Sequence, residues 1–309
     1  WQVLRFAIPT LLAGNVGVLK HASNVMGRAE AIERLFIESG FPEGVFLHLQ
    51  ITSRQVETVI KHPVVKAVTL TGSELAGIAV ATTAASVIKK TVLELGGSDP
   101  FVVLKDADIQ KAAKEAVRSR FRNAGQTCIA AKRWIVEKTV KDEFTAYVLN
   151  ETSRLHQGNP LDEATDIGPM AKLELTQELD TQLDTSIALG GVLLQGGYHD
   201  GCNYELTILE NITANDITFR EETFGPLGCI VEAKDEAEAI RLANDTAFGL
   251  GASVWTKDLD KGERLARQLE AGAVHLNSMV KSDAAVPFGG TKRSGYGREL
   301  SYFGMYEFL

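Results

Sequence analysis

Cys128 lies in the run Gly125-Gln126-Thr127-Cys128 and precedes the apolar Ile129-Ala130-Ala131. A thiol on a turn that feeds a buried segment can stand at the floor of a pocket with its backbone N–H exposed. Once the sulfur has attacked a carbonyl, that N–H can donate to the oxyanion. A free cysteine is mostly protonated at neutral pH, so this chemistry needs an activating group. By itself a lone cysteine is more often a buried, inert one, and Cys202 and Cys229, which lack this context, are read that way. Glu94 closes a predicted strand just before Gly96-Gly97. Ligand sites collect at such strand ends. A carboxylate there can serve as general base on water or thiol, and the glycines let a ligand approach the backbone. A solvated strand-end glutamate would look the same.

Three further stretches carry groups suited to a nucleotide. Thr71-Gly72-Ser73 joins a predicted strand to a predicted helix, where N–H groups and the Ser73 hydroxyl could face a pyrophosphate. It is not the three-glycine dinucleotide fingerprint, and tight turns use Gly and Ser anyway. Lys20 ends the first predicted strand and is followed by His21-Ala22-Ser23. A lysine there could hold ribose hydroxyls or an adenosine phosphate. Ser23 carries no charge where a carboxylate would grip a ribose 2′-hydroxyl and repel a 2′-phosphate, so both NAD and NADP remain open. Glu222-Thr223-Phe224-Gly225-Pro226 pairs a carboxylate with an aromatic on a rigid turn. Glu222 could accept from ribose hydroxyls and Phe224 could pack on a nicotinamide ring.

These groups need regular elements to position them. Short apolar, β-branched runs predict strands over 16–19, 45–49, 65–70 and 91–95, alternating with a helix that Gly40 and Pro42 stop near Glu38, a short one over 53–60 with Ser53 as N-cap, and one over 74–88. Such alternation predicts a parallel sheet covered on both faces, an α/β architecture. Gly96-Gly97-Ser98-Asp99-Pro100 interrupts it and marks a domain boundary. A second α/β region follows, with strands over 101–104, 133–136, 191–194, 228–232, 252–255 and 273–276, and helices over 109–120, 141–155, 173–188, 236–243 and 259–269. The tail, 288–304, is rich in Gly and charge.

With 309 residues, 45% of them apolar and 23% charged, the chain can bury a large core and suggests about two domains. A net charge of −8 argues against a broad nucleic-acid footprint. No apolar run is long enough to span a bilayer, and the start lacks a secretory-signal pattern. Three widely spaced cysteines fit neither a disulfide framework nor a zinc site, which points to the reducing cytoplasm. The six histidines show no metal-ligand spacing, so no metal is expected. The chain opens on Trp1 in an apolar stretch and stops at Leu309 inside an amphipathic pattern, so it reads as an excerpt of a longer protein.

Together, and in this order, Lys20, Thr71-Gly72-Ser73, Glu94-Leu95-Gly96-Gly97, Gly125-Gln126-Thr127-Cys128, Glu222-Thr223-Phe224-Gly225-Pro226, Pro287-Phe288-Gly289-Gly290, Lys292-Arg293-Ser294-Gly295 and Gly297-Arg298-Glu299 resemble the aldehyde dehydrogenase superfamily. The resemblance covers essentially the whole chain. It implies a Rossmann-type, parallel-sheet NAD(P)-binding domain, of which 1–97 would be the C-terminal part, an α/β catalytic domain over 98–298, and a return segment over 299–309. It implies that Cys128 attacks an aldehyde to give a thiohemiacetal, that hydride transfer leaves a thioester, and that Glu94 activates the hydrolytic water. Lys20 and Ser23 would hold the adenosine ribose, Gly72, Ser73 and Leu95 would line the cofactor, and Glu222 with Phe224 would hold the nicotinamide end. Glu299 matches a carboxylate that relays protons.

Within the superfamily, Leu19-Lys20-His21-Ala22 and Leu93-Glu94-Leu95-Gly96-Gly97-Ser98-Asp99-Pro100 resemble the bacterial succinate-semialdehyde dehydrogenases. Arg5 and Arg122 match positions where related enzymes bind a substrate carboxylate, a task suited to the arginine fork. Ser282 lies in a loop that could add a hydroxyl. The structural alternative for each arginine is an internal salt bridge or a surface charge. The expected activity is oxidation of succinic semialdehyde to succinate. Another aliphatic or aromatic aldehyde is the alternative, and a non-catalytic structural protein on the same scaffold is a third reading, which Cys128, Glu94 and Glu222 together argue against. Acylating relatives that use coenzyme A often lack a base at the Glu94 position. The family's Trp-Asn-Phe-Pro stretch, whose Asn donates to the oxyanion, would precede Trp1, so this chain by itself is expected to be inactive. The longer enzyme is expected to be a homo-oligomer, a dimer or tetramer. Ala130 stands where some relatives carry a second cysteine, so no local disulfide switch is expected.

Overall fold

Every residue of the strand Ala131–Glu137 is buried, including Lys132 and Arg133. A strand buried on both faces belongs inside a parallel sheet with helices on each side. The computed structural model describes all 309 residues, Trp1–Leu309, and places this strand at the centre of a seven-stranded sheet. The order across that sheet is Ala273–Leu276, Gly251–Trp255, Asp99–Val103, Ala131–Glu137, Leu227–Ala233, Thr207–Glu210 and Val192–Gln195. All neighbours are parallel except the last pair, which is antiparallel. The helices Ile109–Phe121, Lys141–Thr152, Leu173–Ala188, Glu236–Asn244 and Leu259–Ala266 belong to the same unit. Its core is one continuous cluster holding Phe101, Phe121, Trp134, Phe144, Phe219 and Trp255.

The chain divides into two compact units. One comprises Trp1–Leu95, Ser282–Gly289 and Gly295–Leu309, and the other Gly96–Lys281 and Gly290–Ser294. The boundary after Leu95 falls at the glycine pair that marked it in the sequence. The segmentation read from the sequence ran 98–298 through without a break, whereas the first unit also takes in residues from the glycine-rich tail.

In the first unit, the four strands expected to form one sheet form two small ones. Gly17–Leu19 pairs in parallel with Phe46–His48. Ala67–Thr71 pairs in parallel with Lys90–Glu94, whose other edge is taken antiparallel by Gly295–Tyr296. That last strand sets Gly295 opposite Glu94. Phe288 and Glu299 exchange backbone hydrogen bonds of 2.8 Å and bring the rest of the tail into the same unit. Two helices there were not anticipated. Gln2–Leu12 forms despite Pro9 in its interior, which removes an N–H donor from the helix ladder. It buries Arg5, Ala7 and Thr10, and Phe6 meets Phe308 edge-to-face. Ser301–Tyr306 is the second.

Where helices and strands were anticipated, their ends moved by a few residues, as hydrogen bonding rather than hydropathy sets them. The short helix around Ser53 is a 3-10 turn, Ser53–Gln55, running into Val56–Lys61. Its cap is Thr52, not Ser53, for the Thr52 N–H donates to Gln55 Oε1 at 3.0 Å.

Candidate active site

The turn that carries Cys128 belongs to the second unit. The helix Ile109–Phe121 ends, and Asn123, Ala124 and Gly125 follow in left-handed backbone conformation, with φ of 56°, 51° and 71°. Left-handed geometry at two non-glycine residues in succession is costly and persists only where surrounding bonds enforce it. Here they do. The Asn123 side chain donates to Gln126 O at 3.0 Å, Gln126 Nε2 returns a bond to Asn123 O at 3.1 Å, and Gln126 Oε1 accepts from the Ala171 N–H at 2.8 Å. Gly125 is obligatory, since a Cβ there would strike the carbonyl of Gly225. The Thr127 N–H donates to Gly125 O and the Ala130 N–H to Thr127 O, leaving Cys128 half-buried on the turn.

Two buried cations hold this turn. Arg120 has no exposure, and its guanidinium donates to Leu227 O at 2.5 Å, Thr223 O at 2.8 Å, Gly125 O at 3.4 Å and the Gly225 carbonyl. One side chain thus ties the Cys128 turn to the Glu222–Pro226 loop. Burial pulls its pKa down to about 10, which still leaves it charged. Lys132, also without exposure, donates to Thr127 O at 3.1 Å and Cys128 O at 2.7 Å and lies 3.3 Å from Glu222 Oε1. The same Glu222 oxygen accepts from the Gly97 N–H at 3.0 Å. A Cβ at Gly96 would overlap Glu222 Oε2, which explains a glycine at that step. Phe224 is half-buried in the same loop. Neither Arg120 nor Lys132 was singled out from the sequence. The signal for Lys132 was a cation inside an otherwise apolar strand pattern, which implies burial with dedicated acceptors. Arg120 lies in a helix that also carries Lys111, Lys114, Glu115 and Arg118, so its charge did not stand out.

The first unit holds a carboxyl cluster. Glu94, at the end of its strand, is 2% exposed, and neither carboxyl oxygen has a hydrogen-bond partner. Burial first, then the charge of Glu299, pushes its pKa up to about 8, against the pull of Arg5 and Arg298. The Gly72 N–H donates to the Glu94 carbonyl at 3.0 Å, and Gly289 packs beside Glu94 Oε1, where a Cβ would come within 2.9 Å. Glu299 forms a buried ion pair with Arg5 Nε and accepts from Thr69 Oγ1 at 3.3 Å. Desolvation raises its pKa as well, with Arg5 opposing. Arg5 also stacks 4.4 Å over Phe288 and reaches Thr71 Oγ1 at 3.4 Å. Of the two roles open to Arg5, the internal salt bridge is therefore made. Its Nη1 donates no hydrogen bond to the protein.

The other expected contacts fall as follows. Ser73 caps the helix Glu74–Ala85, accepting from the Ala76 N–H at 3.4 Å. With Thr71 ending its strand and Gly72 exposed, this is the strand–turn–helix expected for an anion. Leu95 is buried. Lys20 is half-buried one residue past the strand Gly17–Leu19, and Ser23 is exposed at the start of a 3-10 turn. Ser282 accepts from Trp1 Nε1 at 3.1 Å. Arg122 belongs to the other unit from Arg5. It is exposed, forms no ion pair, and lines a recess of about 410 Å³ with Arg118, Phe121, Leu155 and Asp166. No cysteine forms a disulfide, and no helix is long and apolar enough to cross a membrane.

The sequence pattern of the aldehyde dehydrogenase family matches residues 2–309. The NAD(P)+ succinate semialdehyde dehydrogenase Sad of Escherichia coli is 47% identical over 311 residues, covering 100% of this chain and 67% of that protein. A probable NADP+ succinate-semialdehyde dehydrogenase of Synechocystis is 48% identical over 312 residues, covering 100% and 69%. Among solved structures, the succinic semialdehyde dehydrogenase of Streptococcus pyogenes in complex with NADP+ superposes with a TM-score of 0.96 at 36% identity, over 99% of this chain and 68% of that one. The chain spans about two thirds of the length of these relatives.

Proposed function

Because the chain belongs to the aldehyde dehydrogenase family, we propose that it oxidises succinic semialdehyde to succinate with NAD or NADP as hydride acceptor. The observation that carries this reading is the 47–48% identity, over the whole chain, to enzymes named for that substrate. Cys128 is the nucleophile. Its sulfur adds to the aldehyde carbon, and its backbone N–H supports the developing oxyanion. The turn's enforced geometry fixes the thiol before substrate arrives, which is where preorganisation lowers the barrier. A bound nicotinamide would supply the hydride acceptor, and Cys128 would then hold the acyl group as a thioester. Glu94 then draws a proton from water, which attacks the thioester and releases the acid. A carboxyl with no fixed partner and a pKa near 8 is suited to accepting that proton close to neutral pH. Glu299, whose charge acts on Glu94 in the same cluster, is the onward proton acceptor in this reading.

The residues present fit a dinucleotide. Ser73 and the Gly72 turn offer donors at a helix start for the pyrophosphate. Lys20 and Ser23 suit the adenosine ribose, with no carboxylate at Ser23 to repel a 2′-phosphate. Glu222 Oε2, which lies against Gly96 and accepts no hydrogen bond from the protein, suits ribose hydroxyls, and Phe224 the nicotinamide ring. For the substrate's free carboxylate, Arg122 is a cation without a protein partner, Arg5 retains an unused Nη1, and Ser282 adds a hydroxyl. In this reading 1–97 is the C-terminal part of the cofactor domain, 98–298 the catalytic domain with Cys128, and 299–309 a return segment to the cofactor region. We place the enzyme in the cytoplasm, in keeping with cysteines that form no disulfide, and expect it to work as a homo-oligomer.

The test compares succinic semialdehyde with butanal, which keeps the aldehyde and loses the carboxylate. Charge-assisted hydrogen bonds contribute roughly 1.5–3 kcal/mol each, so Arg122→Ala is expected to raise KM for the semialdehyde at least tenfold and leave that for butanal unchanged. Equal effects on both substrates, or none, overturn the carboxylate assignment.

A further inference from the structure

Lys132 and Arg133 are consecutive on one buried strand, and their side chains point to opposite faces. Arg133 spends its donors on backbone: Ser98 O at 2.8 and 3.0 Å, Leu242 O at 2.9 Å and Ala243 O at 3.1 Å. Those acceptors are scaffold. Lys132 reaches different atoms. Its ammonium donates to the carbonyl of Cys128 itself at 2.7 Å and lies 3.3 Å from the Glu222 carboxylate. The third bond, to Thr127 O at 3.1 Å, completes the donor set of an ammonium. On the far side, Gly97 donates to the same Glu222 oxygen, and a Cβ at Gly97 would stand 3.0 Å from Cys128 O. Wholly buried Asp99 adds a carboxyl to the charges around Lys132 and Glu222.

We propose that Lys132 is a positioning residue for hydride transfer: one buried cation fixes the nucleophile's main chain and the cofactor-anchoring Glu222 at a set separation. This rests on the reading of Cys128 as nucleophile and Glu222 as ribose anchor. Hydride transfer demands that the carbon held on Cys128 and the nicotinamide be fixed against each other, and a displacement of about 1 Å can cost on the order of a hundredfold in rate. Arg120 joins the same two loops through backbone carbonyls and the Thr223 hydroxyl, and donates nothing to the Glu222 carboxylate. It sets their approach but leaves the Glu222 carboxylate free to turn. Lys132 alone grips that carboxylate and the Cys128 carbonyl together.

The experiment follows the pre-steady-state burst of NAD(P)H in the intact enzyme, with cofactor affinity measured separately. Lys132→Met keeps the chain length and removes the charge. It is expected to slow the burst about a hundredfold and to change cofactor affinity by no more than a few-fold. Removing one partner of a buried pair can unfold a protein, so Lys132→Met/Glu222→Gln removes both charges together. If Lys132 acts through Glu222, the double variant is no slower than Glu222→Gln alone, because contacting residues on one path couple rather than add. A burst rate in Lys132→Met equal to the parent, or strictly additive losses in the double variant, overturns the proposal. Cys128→Ala separates this from failure of the underlying reading. A Cys128→Ala enzyme that still gives a burst sinks the nucleophile assignment, whereas an inactive one with an unaffected Lys132→Met sinks only the role of Lys132.

Discussion

Glu94 and Arg120 have almost no exposure, 2% and 0%, yet their surroundings differ in kind. The Arg120 guanidinium is met by four carbonyls on two loops. The Glu94 carboxyl meets no hydrogen-bond donor. Desolvation penalises both charged forms. For Arg120 the carbonyls offset the penalty and the cation persists. For Glu94 no hydrogen bond offsets it, the pull of Arg5 and Arg298 does not outweigh it, and a second carboxyl, Glu299, adds to it. Burial with partners makes a rigid clamp, and burial without them makes a group that keeps its proton until the pH is high. The unit that carries Cys128 uses the first device and the carboxyl cluster's unit the second, which are what the proposed roles of a fixed thiol and a proton-accepting base require.

The comparison breaks most sharply at Glu94. Glu94→Gln is expected to slow steady-state turnover by about 10²–10⁴-fold, the usual worth of a general base. The NAD(P)H burst should survive, with thioester accumulating on Cys128, detectable by mass spectrometry of acid-quenched enzyme. A variant that loses the burst in proportion places Glu94 before hydride transfer instead. In the parent, deacylation should rise with pH around a midpoint of about 8. Glu299→Gln should move that midpoint down, since it removes a like charge and releases Arg5 to act on Glu94. The sign for stability is opposite to the ordinary carboxylate. Native Glu94 keeps its proton to about pH 8 and the unfolded chain releases it near the ordinary glutamate value of 4.5. The native state therefore binds more protons in that window, so this group's contribution to stability falls as pH rises from 4.5 towards 8. Glu94→Gln should raise Tm more at pH 8 than at pH 5.

The clamp gives the next largest effect, and on stability rather than on a titration. Arg120→Met strips the donor from Leu227 O, Thr223 O and Gly225 O. A buried acceptor left unpaired costs about 1–3 kcal/mol, so a loss of about 3 kcal/mol or more is expected in urea unfolding followed by circular dichroism. The pH midpoint of deacylation should not move, because Arg120 is not among the charges acting on Glu94. A moved midpoint with unchanged stability would erase the contrast between the two regions.

The sequence made the second unit's sheet and helices legible because fully buried strands are continuous apolar runs bounded by turn residues, as in Phe101-Val102-Val103 and Ile230-Val231. It made Cys128, Glu94 and Glu222 legible as a set through their motifs, not through their chemistry singly. What it hid were relations across long separations. Glu299 and Arg5 are 294 residues apart, and nothing local announces their ion pair. The strand Gly295–Tyr296 is two residues long, too short for any period, and exists because Lys90–Glu94 supplies its partners. The helix Gln2–Leu12 was hidden by Pro9 and by the absence of a side-chain cap. Its tertiary contacts, with Phe308 among them, outweigh weak local preference.

The smallest expected effect sharpens the comparison at the thiols. Cys128 and Cys229 both lie in the second unit, one half-buried on the enforced turn and the other wholly buried in the strand Leu227–Ala233. Burial pushes the Cys229 thiol up to about 11, which Arg120, Arg133 and a long contact to Thr218 O do not reverse. Only the thiolate reacts, so iodoacetamide at pH 8 should label Cys128 in the native enzyme and leave Cys229 untouched until the protein is unfolded. Cys229→Ala should leave turnover within a factor of two and cost about 1 kcal/mol, the scale for deleting one small buried group. Labelling of Cys229 in native enzyme at a rate near that of Cys128 would mean that the core around Leu227–Ala233 opens as readily as the turn. The clamp that Arg120 makes to Leu227 O would then be too weak to fix the nucleophile.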